Sequence, residues 1–314
     1  MNAISPADRR ALSRALSRAA TAPVREVLQM PRASATSCRV IGITGSPGVG
    51  KSSLIARLAQ DRLRHPGTLG IIAIDPTSPI SGGAILGDRI RMQDLAGDPR
   101  VFIRSFASRA STGGLTDNLF DILGVFDQAG FSELIVETVG IGQVGYAIKY
   151  LVDTNVLILM PGSGDQIQAM KGGILETADI CVVNKSDLPG ARQVAAELRA
   201  VLGRDARRPD DDWLPLLLAV SAKDASGIEE LGAAIDRHQA WLDATGRRDL
   251  SIRERRAHHV SSLVARRVAE ITAAMPSGMF GRPLPELYRL VTHELLDSLD
   301  AVGEREVSIT TAGQ

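Results

Sequence analysis

A chain of 314 residues, 44% hydrophobic and 23% charged, has the make-up of a globular protein with a buried core, in one large domain with appendages or two modest ones. Its 36 basic residues balance its 36 acidic ones, so no global field draws it to nucleic acid or to an anionic membrane. Its two cysteines, Cys38 and Cys181, lie far apart beside apolar runs, a pattern of buried free thiols in a reducing compartment and not of a disulfide framework or zinc site.

No apolar run approaches the roughly 18–20 residues that span a bilayer. No membrane association is therefore expected, and the cytoplasm is the expected compartment. The Arg-, Ser- and Ala-rich residues 1–23 have a faint likeness to an organellar transit peptide. The stronger reading is a capped helix: Ser5 as N-cap, Pro6 at the first helical position, Asp8 in the first turn, then Leu12 and Leu16 at helical spacing.

From Arg39 onward, short β-branched runs alternate with helical patterns. Strands are expected at Val40–Thr44, Gly70–Ile74, Val101–Ile103, Glu133–Glu137, Asn155–Met160, Ile180–Asn184 and Leu216–Val220. Helices are expected at Lys51–Arg64, Thr116–Gln128, Arg192–Leu202 and Gly227–Leu242. Strands apolar throughout and separated by helices imply a mostly parallel sheet covered on both faces. That is a doubly wound α/β domain, with ligands at the carboxyl ends of its strands.

The pattern changes near Thr245. Ser251–Met275 carries Val260, Leu263, Val264, Val268 and Ile271 on one helical face. After a break at Pro276–Pro285, Glu286–Leu299 carries Leu287, Leu290, Val291, Leu295 and Leu299. A hairpin this small buries little by itself, so a dimerisation arm is expected. The organisation expected is an N-terminal helical segment (1–37), a nucleotide-binding domain (38–245) and a C-terminal helical arm (246–314).

Gly45–Ser52 reads GSPGVGKS, between a strand and an apolar helix that begins near Ser53. This is the context a phosphate-binding loop requires. Its glycines, with Ser46, Pro47 and Val49 between them, let backbone N–H groups surround a phosphate at a helix N-terminus. Lys51 then serves the β- and γ-phosphate oxygens and Ser52 serves Mg²⁺. The stretch Ile180–Asp187, ICVVNKSD, follows a later strand. An Asp187 carboxylate accepts two hydrogen bonds from guanine N1–H and its 2-amino group, and adenine would leave it unpaired. Asn184 and Lys185 brace the loop. The strand end Val220–Lys223, VSAK, adds Ser221, Ala222 and Lys223, with the Ala222 N–H suited to guanine O6. Three such elements in order imply GTP over ATP. Asp75, Asp88 and Glu137 lie at or after strand ends facing the same crevice, where hard oxygens suit Mg²⁺. Asp75 or Asp88 could instead position the attacking water. Gln143 could orient that water or report nucleotide state.

The segments Gly42–Leu54, Asp75–Met92, Glu137–Gln143, Leu157–Asp179 and Val182–Leu188 together resemble the methylmalonyl-CoA mutase-associated GTPases, chaperones of adenosylcobalamin-dependent acyl-CoA mutases. The similarity runs from about Arg39 to Lys223, with the C-terminal hairpin in the place of that family's dimerisation arm. The resemblance implies a homodimeric P-loop G-protein that hydrolyses GTP to GDP and gates cobalamin loading of a B12-dependent acyl-CoA mutase, with its adenosyltransferase as a further partner. It implies that Lys51, Ser52, Asp75, Asp88 and Glu137 form the phosphate and Mg²⁺ apparatus. Pro161–Lys171 then matches a third switch with Asp165, Gln166 and Lys171 as polar members. Val144-Gly145 departs from the Ser-Glu that commonly follows Gln143 in the family, which leaves the identity of the mutase open. Two other readings are a nickel-insertion GTPase, for which His65, His238, His258, His259 and His293 are scattered, and a slow nucleotide-dependent binding module.

Overall fold

A computed structural model describes residues 3–30, 38–76, 92, 95, 97–108, 118–138, 148–162, 173–202 and 212–300. Seven strands form one sheet: β1 (Arg39–Gly45), β2 (Leu69–Pro76), β3 (Val101–Ser108), β4 (Glu133–Glu137), β5 (Thr154–Leu159), β6 (Ile180–Val183) and β7 (Leu216–Ala219). Their order is β3-β2-β4-β1-β5-β6-β7, and every pairing is parallel. Among the described residues the α-helices are α1 (Pro6–Thr21), α2 (Val24–Gln29), α3 (Lys51–Arg62), α4 (Leu119–Gln128), α5 (Ala191–Leu202), α6 (Ile228–Ala244), α7 (Arg247–Ala274) and α8 (Leu284–Asp300). The doubly wound α/β domain expected from the sequence is the observed one.

Side-chain alternation explains the layers. Ile41 and Ile43 of β1, Ile71 of β2, Ile135 of β4 and Val156 and Ile158 of β5 pack on one face with Leu54, Ile55 and Leu58 of α3 and Leu231 and Ile235 of α6. Val40, Ile72, Ile74, Leu134 and Val136 point the other way, onto Leu12, Leu16 and Ala19 of α1 and Leu119, Ile122 and Phe126 of α4. On that same side α5 covers Leu157, Leu159, Cys181 and Val183. Apolar residues on both faces are what a strand covered on two sides requires. At Gly70 a Cβ would lie 2.2 Å from Leu134 Cδ2 and 3.0 Å from Phe126, so only glycine lets α4 sit this close.

Two boundaries differ instructively from the expectation. Strand β3 continues past Ile103 because it is an edge strand, where polar side chains are tolerated. Its Arg104 donates to the Ser13 carbonyl at 2.6 Å and to Ser17 Oγ at 2.7 Å on α1. Helix α7 begins at Arg247, directly after Gly246, whose φ of +67° ends α6. Helix α1 has the expected cap: Ser5 Oγ accepts from the Asp8 N–H at 3.2 Å and donates to Asp8 Oδ2 at 2.6 Å.

The chain divides into two compact units, Met1–Ala20 with Arg32–Arg256, and Thr21–Pro31 with Ala257–Gln314. In the smaller unit Ala22, Val24, Val27 and Leu263 form a small core. Glu270 Oε1 accepts from the Val24 N–H at 2.9 Å, and Arg266 donates to the Ala22 carbonyl at 3.1 Å. Of the stripe expected on the first arm helix, Leu263 and Ile271 are buried, whereas Val260 and Val264 are exposed. No helix among the described residues is long and apolar enough to cross a membrane.

Leu16 is fully buried beneath α1. Leu16→Ala is expected to lower the unfolding free energy by about 2–5 kcal/mol in urea denaturation. A change below about 0.5 kcal/mol would mean that α1 is not part of the core.

Candidate functional site

Strand β1 lies mid-sheet between β4 and β5, and the chain leaves it in opposite directions on the two sides. This is the topological switch point where open α/β sheets bind ligands, outside the carboxyl ends of the strands. The loop Ser46–Gly50 follows β1 there and opens α3. Gly48 (φ +79°) and Gly50 (φ +97°) hold left-handed conformations that a side chain would strain. A Cβ at Gly50 would also lie 2.6 Å from Asn184 Nδ2, and one at Gly45 would lie 2.5 Å from the Ile158 carbonyl oxygen. The Lys51 ammonium reaches back over the loop, donating to the carbonyls of Gly45 at 2.9 Å and Ser46 at 3.1 Å. Ser53 is exposed on the first turn of α3.

The residues after β6 and β7 close around this loop. Asn184 Nδ2 donates to the Val49 carbonyl at 2.8 Å, while Asn184 Oδ1 accepts from the Ala222 N–H at 3.4 Å. Lys185, itself at φ +56°, donates from Nζ to the Gly48 carbonyl at 2.9 Å. Ser221 Oγ donates to Asp187 Oδ1 at 3.0 Å. Lys223 is exposed, and the neighbouring Ala222 carbonyl accepts from Arg57 Nε of α3 at 3.2 Å. The structure thus brings Gly45–Ser52, Asn184–Asp187 and Ser221–Ala222 into one hydrogen-bonded cluster. Sequence reading did not single out Arg57, whose only signal is its place one turn into α3.

Ser52 and Glu137 are both buried, and Ser52 Oγ donates to Glu137 Oε1 at 2.9 Å. Their residue numbers differ by 85, but parallel pairing of β1 with β4 places Ile43 beside Glu137, so α3 starts above the carboxylate. A hydroxyl and a carboxylate at that distance are the hard-oxygen donor set that Mg²⁺ takes. Asp75 lies in β2, in register with Ala107 of β3. The Asp75 side chain lies outside the described residues, as do Asp88, Gln143, Val144-Gly145, Asp165, Gln166 and Lys171. Among the described residues no group of three or more His, Cys, Asp and Glu could hold a metal ion by itself.

A cavity of about 300 Å³ opens at the opposite end of the sheet, lined by Asp153, Asp179, Trp213, His238, Trp241 and Arg247 among others. Its charges have partners within the protein. Asp153 accepts from the Val40 N–H at 2.7 Å and from Arg255 at 2.6 Å, Asp179 accepts from the Asn155 N–H at 2.7 Å, and Arg247 pairs with Asp212 at 3.3 Å. The arrangement braces the feet of β1, β5 and β6. His238 Nδ1 shares a hydrogen bond with Thr154 Oγ1 at 2.9 Å, and its ring stacks on Trp241. Burial, with Arg248 adding to it against the pull of Asp153, lowers the His238 pKa from 6.5 to about 4.

His238 therefore folds neutral. Above pH 6.5 it is neutral in both states and its contribution is complete, and as pH falls from 6.5 towards 4 the unfolded chain gains the proton first and stability is lost. The loss is expected to reach about 2 kcal/mol at pH 5 in denaturant titrations, and His238→Gln is expected to remove that part of the slope.

The family model of the methylmalonyl Co-A mutase-associated GTPase MeaB matches residues 10–277. A putative GTPase of Pyrococcus abyssi is 38% identical over 279 residues, 88% of this chain and 85% of that protein. The mitochondrial methylmalonic aciduria type A homolog of Mus musculus is 33% identical over 251 residues, 78% of this chain and 60% of that protein. Among solved structures, an LAO/AO transport system kinase shares the fold with a TM-score of 0.59 at 20% identity, covering 93% of this chain and 98% of that one.

Proposed function

Because the chain belongs to the family of methylmalonyl Co-A mutase-associated GTPases, we propose that it hydrolyses GTP to GDP and phosphate as the chaperone switch of a B12-dependent acyl-CoA mutase. The observation that carries the nucleotide half of this reading is that Asn184 bonds both Val49 of the Gly45–Ser52 loop and Ala222, while Ser221 bonds Asp187 beside them. The mutase half rests on the family.

The roles follow from the chemistry of each group. The N–H groups of Gly45–Ser52 at the start of α3 receive the phosphates, where the helix dipole adds positive potential. Lys51 exchanges the carbonyls of Gly45 and Ser46 for β- and γ-phosphate oxygens, the better acceptors for an ammonium. Ser52 and Glu137, joined by Asp75 and Asp88, would hold Mg²⁺, which would supply positive charge against the phosphate oxygens. Asp187 takes guanine N1–H and the 2-amino group, and Ser221–Lys223 flank the base. Asp75 or Asp88 orients the water whose oxygen attacks the γ-phosphorus, breaking the bond to the bridging oxygen and releasing GDP. Gln143 and the polar residues Asp165, Gln166 and Lys171 report the nucleotide state to the partner.

The C-terminal segment, 246–314, is assigned as the homodimerisation arm beside the N-terminal segment 1–37 and the nucleotide domain 38–245. Val260, Leu284 and Tyr288 support this, since they leave apolar surface exposed at 60%, 77% and 72%. The adenosyltransferase that supplies the mutase is assigned as a further partner. The two buried thiols fit a reducing compartment such as the cytoplasm.

The test is GTP turnover by the purified protein alone and with each B12-dependent mutase of its source. Acceleration and co-purification with one of them are expected, and failure with all of them would refute the mutase link. For the base reader, Asp187→Asn is expected to weaken GTP binding by roughly 100-fold or more and to favour xanthosine triphosphate, whose 2-oxo group suits an amide donor. An Asp187→Asn protein that binds GTP as tightly as the parent would remove Asp187 from the guanine site.

A further inference from the structure

Four buried polar side chains lie in line on the side of the sheet that carries α1, α4 and α5, among mostly apolar neighbours. Thr138, the residue after Glu137, is 1% exposed; Thr44, the residue before the Gly45–Ser52 loop, is 1% exposed; Asn155 of β5 is 2% exposed. Thr177 closes the short 3₁₀ turn Ile174–Thr177 in the crossover from β5 to β6.

Their hydrogen bonds link them in series, with the Ile43 carbonyl a second acceptor for Thr138 Oγ1 at 3.5 Å. Thr138 Oγ1 donates to Thr44 Oγ1 at 3.2 Å, Thr44 Oγ1 donates to Asn155 Oδ1 at 3.4 Å, and Asn155 Nδ2 donates to the Thr177 carbonyl at 3.0 Å. A head-to-tail series of donors polarises itself, so each link strengthens the next in a medium of low dielectric. Gly42 stands opposite Asn155 in the β1–β5 register, and the space its missing side chain leaves is taken by Val152 and Ile148, 3.0 and 3.1 Å from where a Cβ would lie. The two ends are tied to the backbone: the Thr138 N–H donates to the Ile43 carbonyl at 3.1 Å, and Thr177 Oγ1 donates to the Ile174 carbonyl at 2.8 Å.

The geometry points to Thr44 and Asn155 as positioning residues that couple the strand end carrying Glu137 to the β5–β6 crossover, so that nucleotide state at one is felt at the other. The coupling rests on the nucleotide reading given above. Thr44 adjoins Gly45 and Thr138 adjoins Glu137 along the chain, so the series acts on the cluster that receives the nucleotide through the backbone. The 3.4 Å link is the slackest, and O–H···O bonds strengthen as they shorten towards 2.8 Å. A shift of a few tenths of an ångström between β1 and β5 therefore changes the strength of the series at that point. A buried hydroxyl and amide that lose each other have no water to turn to, so breaking the link carries a cost.

The experiment compares amide hydrogen exchange of Ile174–Ala178 in the full chain loaded with GDP and with a non-hydrolysable GTP analogue. The parent protein is expected to exchange these amides about fivefold more slowly in one nucleotide state than in the other, the order of one net hydrogen bond. Thr44→Val and Asn155→Leu, near-isosteric replacements without the relay, are expected to lose that difference while binding GDP within about threefold of the parent, and Thr44→Ser is expected to restore it. Should Asn155→Leu fail to fold, Thr44→Val decides. A difference that survives in Thr44→Val, or none in the parent, overturns the coupling. A parent protein that binds no guanine nucleotide overturns the nucleotide reading and the coupling with it.

Discussion

One buried amide holds the nucleotide-facing end of the molecule together. Asn184 donates to Val49 in the loop after β1 and accepts from Ala222 in the loop after β7, so a single planar group sets the spacing of three loops distant in sequence. Only an amide offers a donor and an acceptor side by side. Aspartate would set a negative charge against the Val49 carbonyl, and leucine would leave that carbonyl without its donor, a loss of about 1–3 kcal/mol at a buried site. The 2.6 Å approach of a Gly50 Cβ to the same amide shows how tightly the loop is drawn against it. Lys185 repeats the tie one residue later at Gly48, and its left-handed backbone turns the ammonium onto the loop.

The sheet makes this clamp possible. β1, β5 and β6 run side by side in the same direction, so the chain leaves the first and third of them at the same edge, with the end of β5 between. At the opposite edge Asp153, Asp179 and His238 fix where the strands begin. Burial on both faces locks the register, since a one-residue slip would send Ile41 and Ile43 to the side occupied by Val40. Strand position, and not local loop preference, is what gathers Ser52, Glu137 and Asn184 into a common neighbourhood.

Much of this is legible in the sequence where the signal is local. Glu133–Glu137 is read to the residue because an apolar run ends in a charge, and the loop of Gly45–Ser52 is read from its glycines and its flanking strand and helix. Bracing by Asn184 and Lys185 follows from their place after a buried strand. Ser52 and Glu137 are expected in one crevice, but their direct 2.9 Å contact needs β4 beside β1, and no spacing rule supplies that strand order. The role of Asn155 passes unnoticed at the head of the apolar run Val156–Leu159, although a buried polar residue in such a strand is itself a signal. The tail of β3 was hidden because Arg104 looks like a strand ender until α1 is there to accept its hydrogen bonds. Periodicity marked an apolar stripe on α7 but could not say which members are covered. Leu263 and Ile271 are, while Val260 and Val264 are not.

The central claim is that this cluster is a guanine-nucleotide site. Titration calorimetry of the full chain with GDP and with ADP, each in the presence of Mg²⁺, tests it most directly. The account predicts GDP binding at least about 100-fold tighter than ADP binding, since adenine leaves the Asp187 carboxylate without its donors. Equal affinity for the two nucleotides, or no binding of GDP, would contradict it.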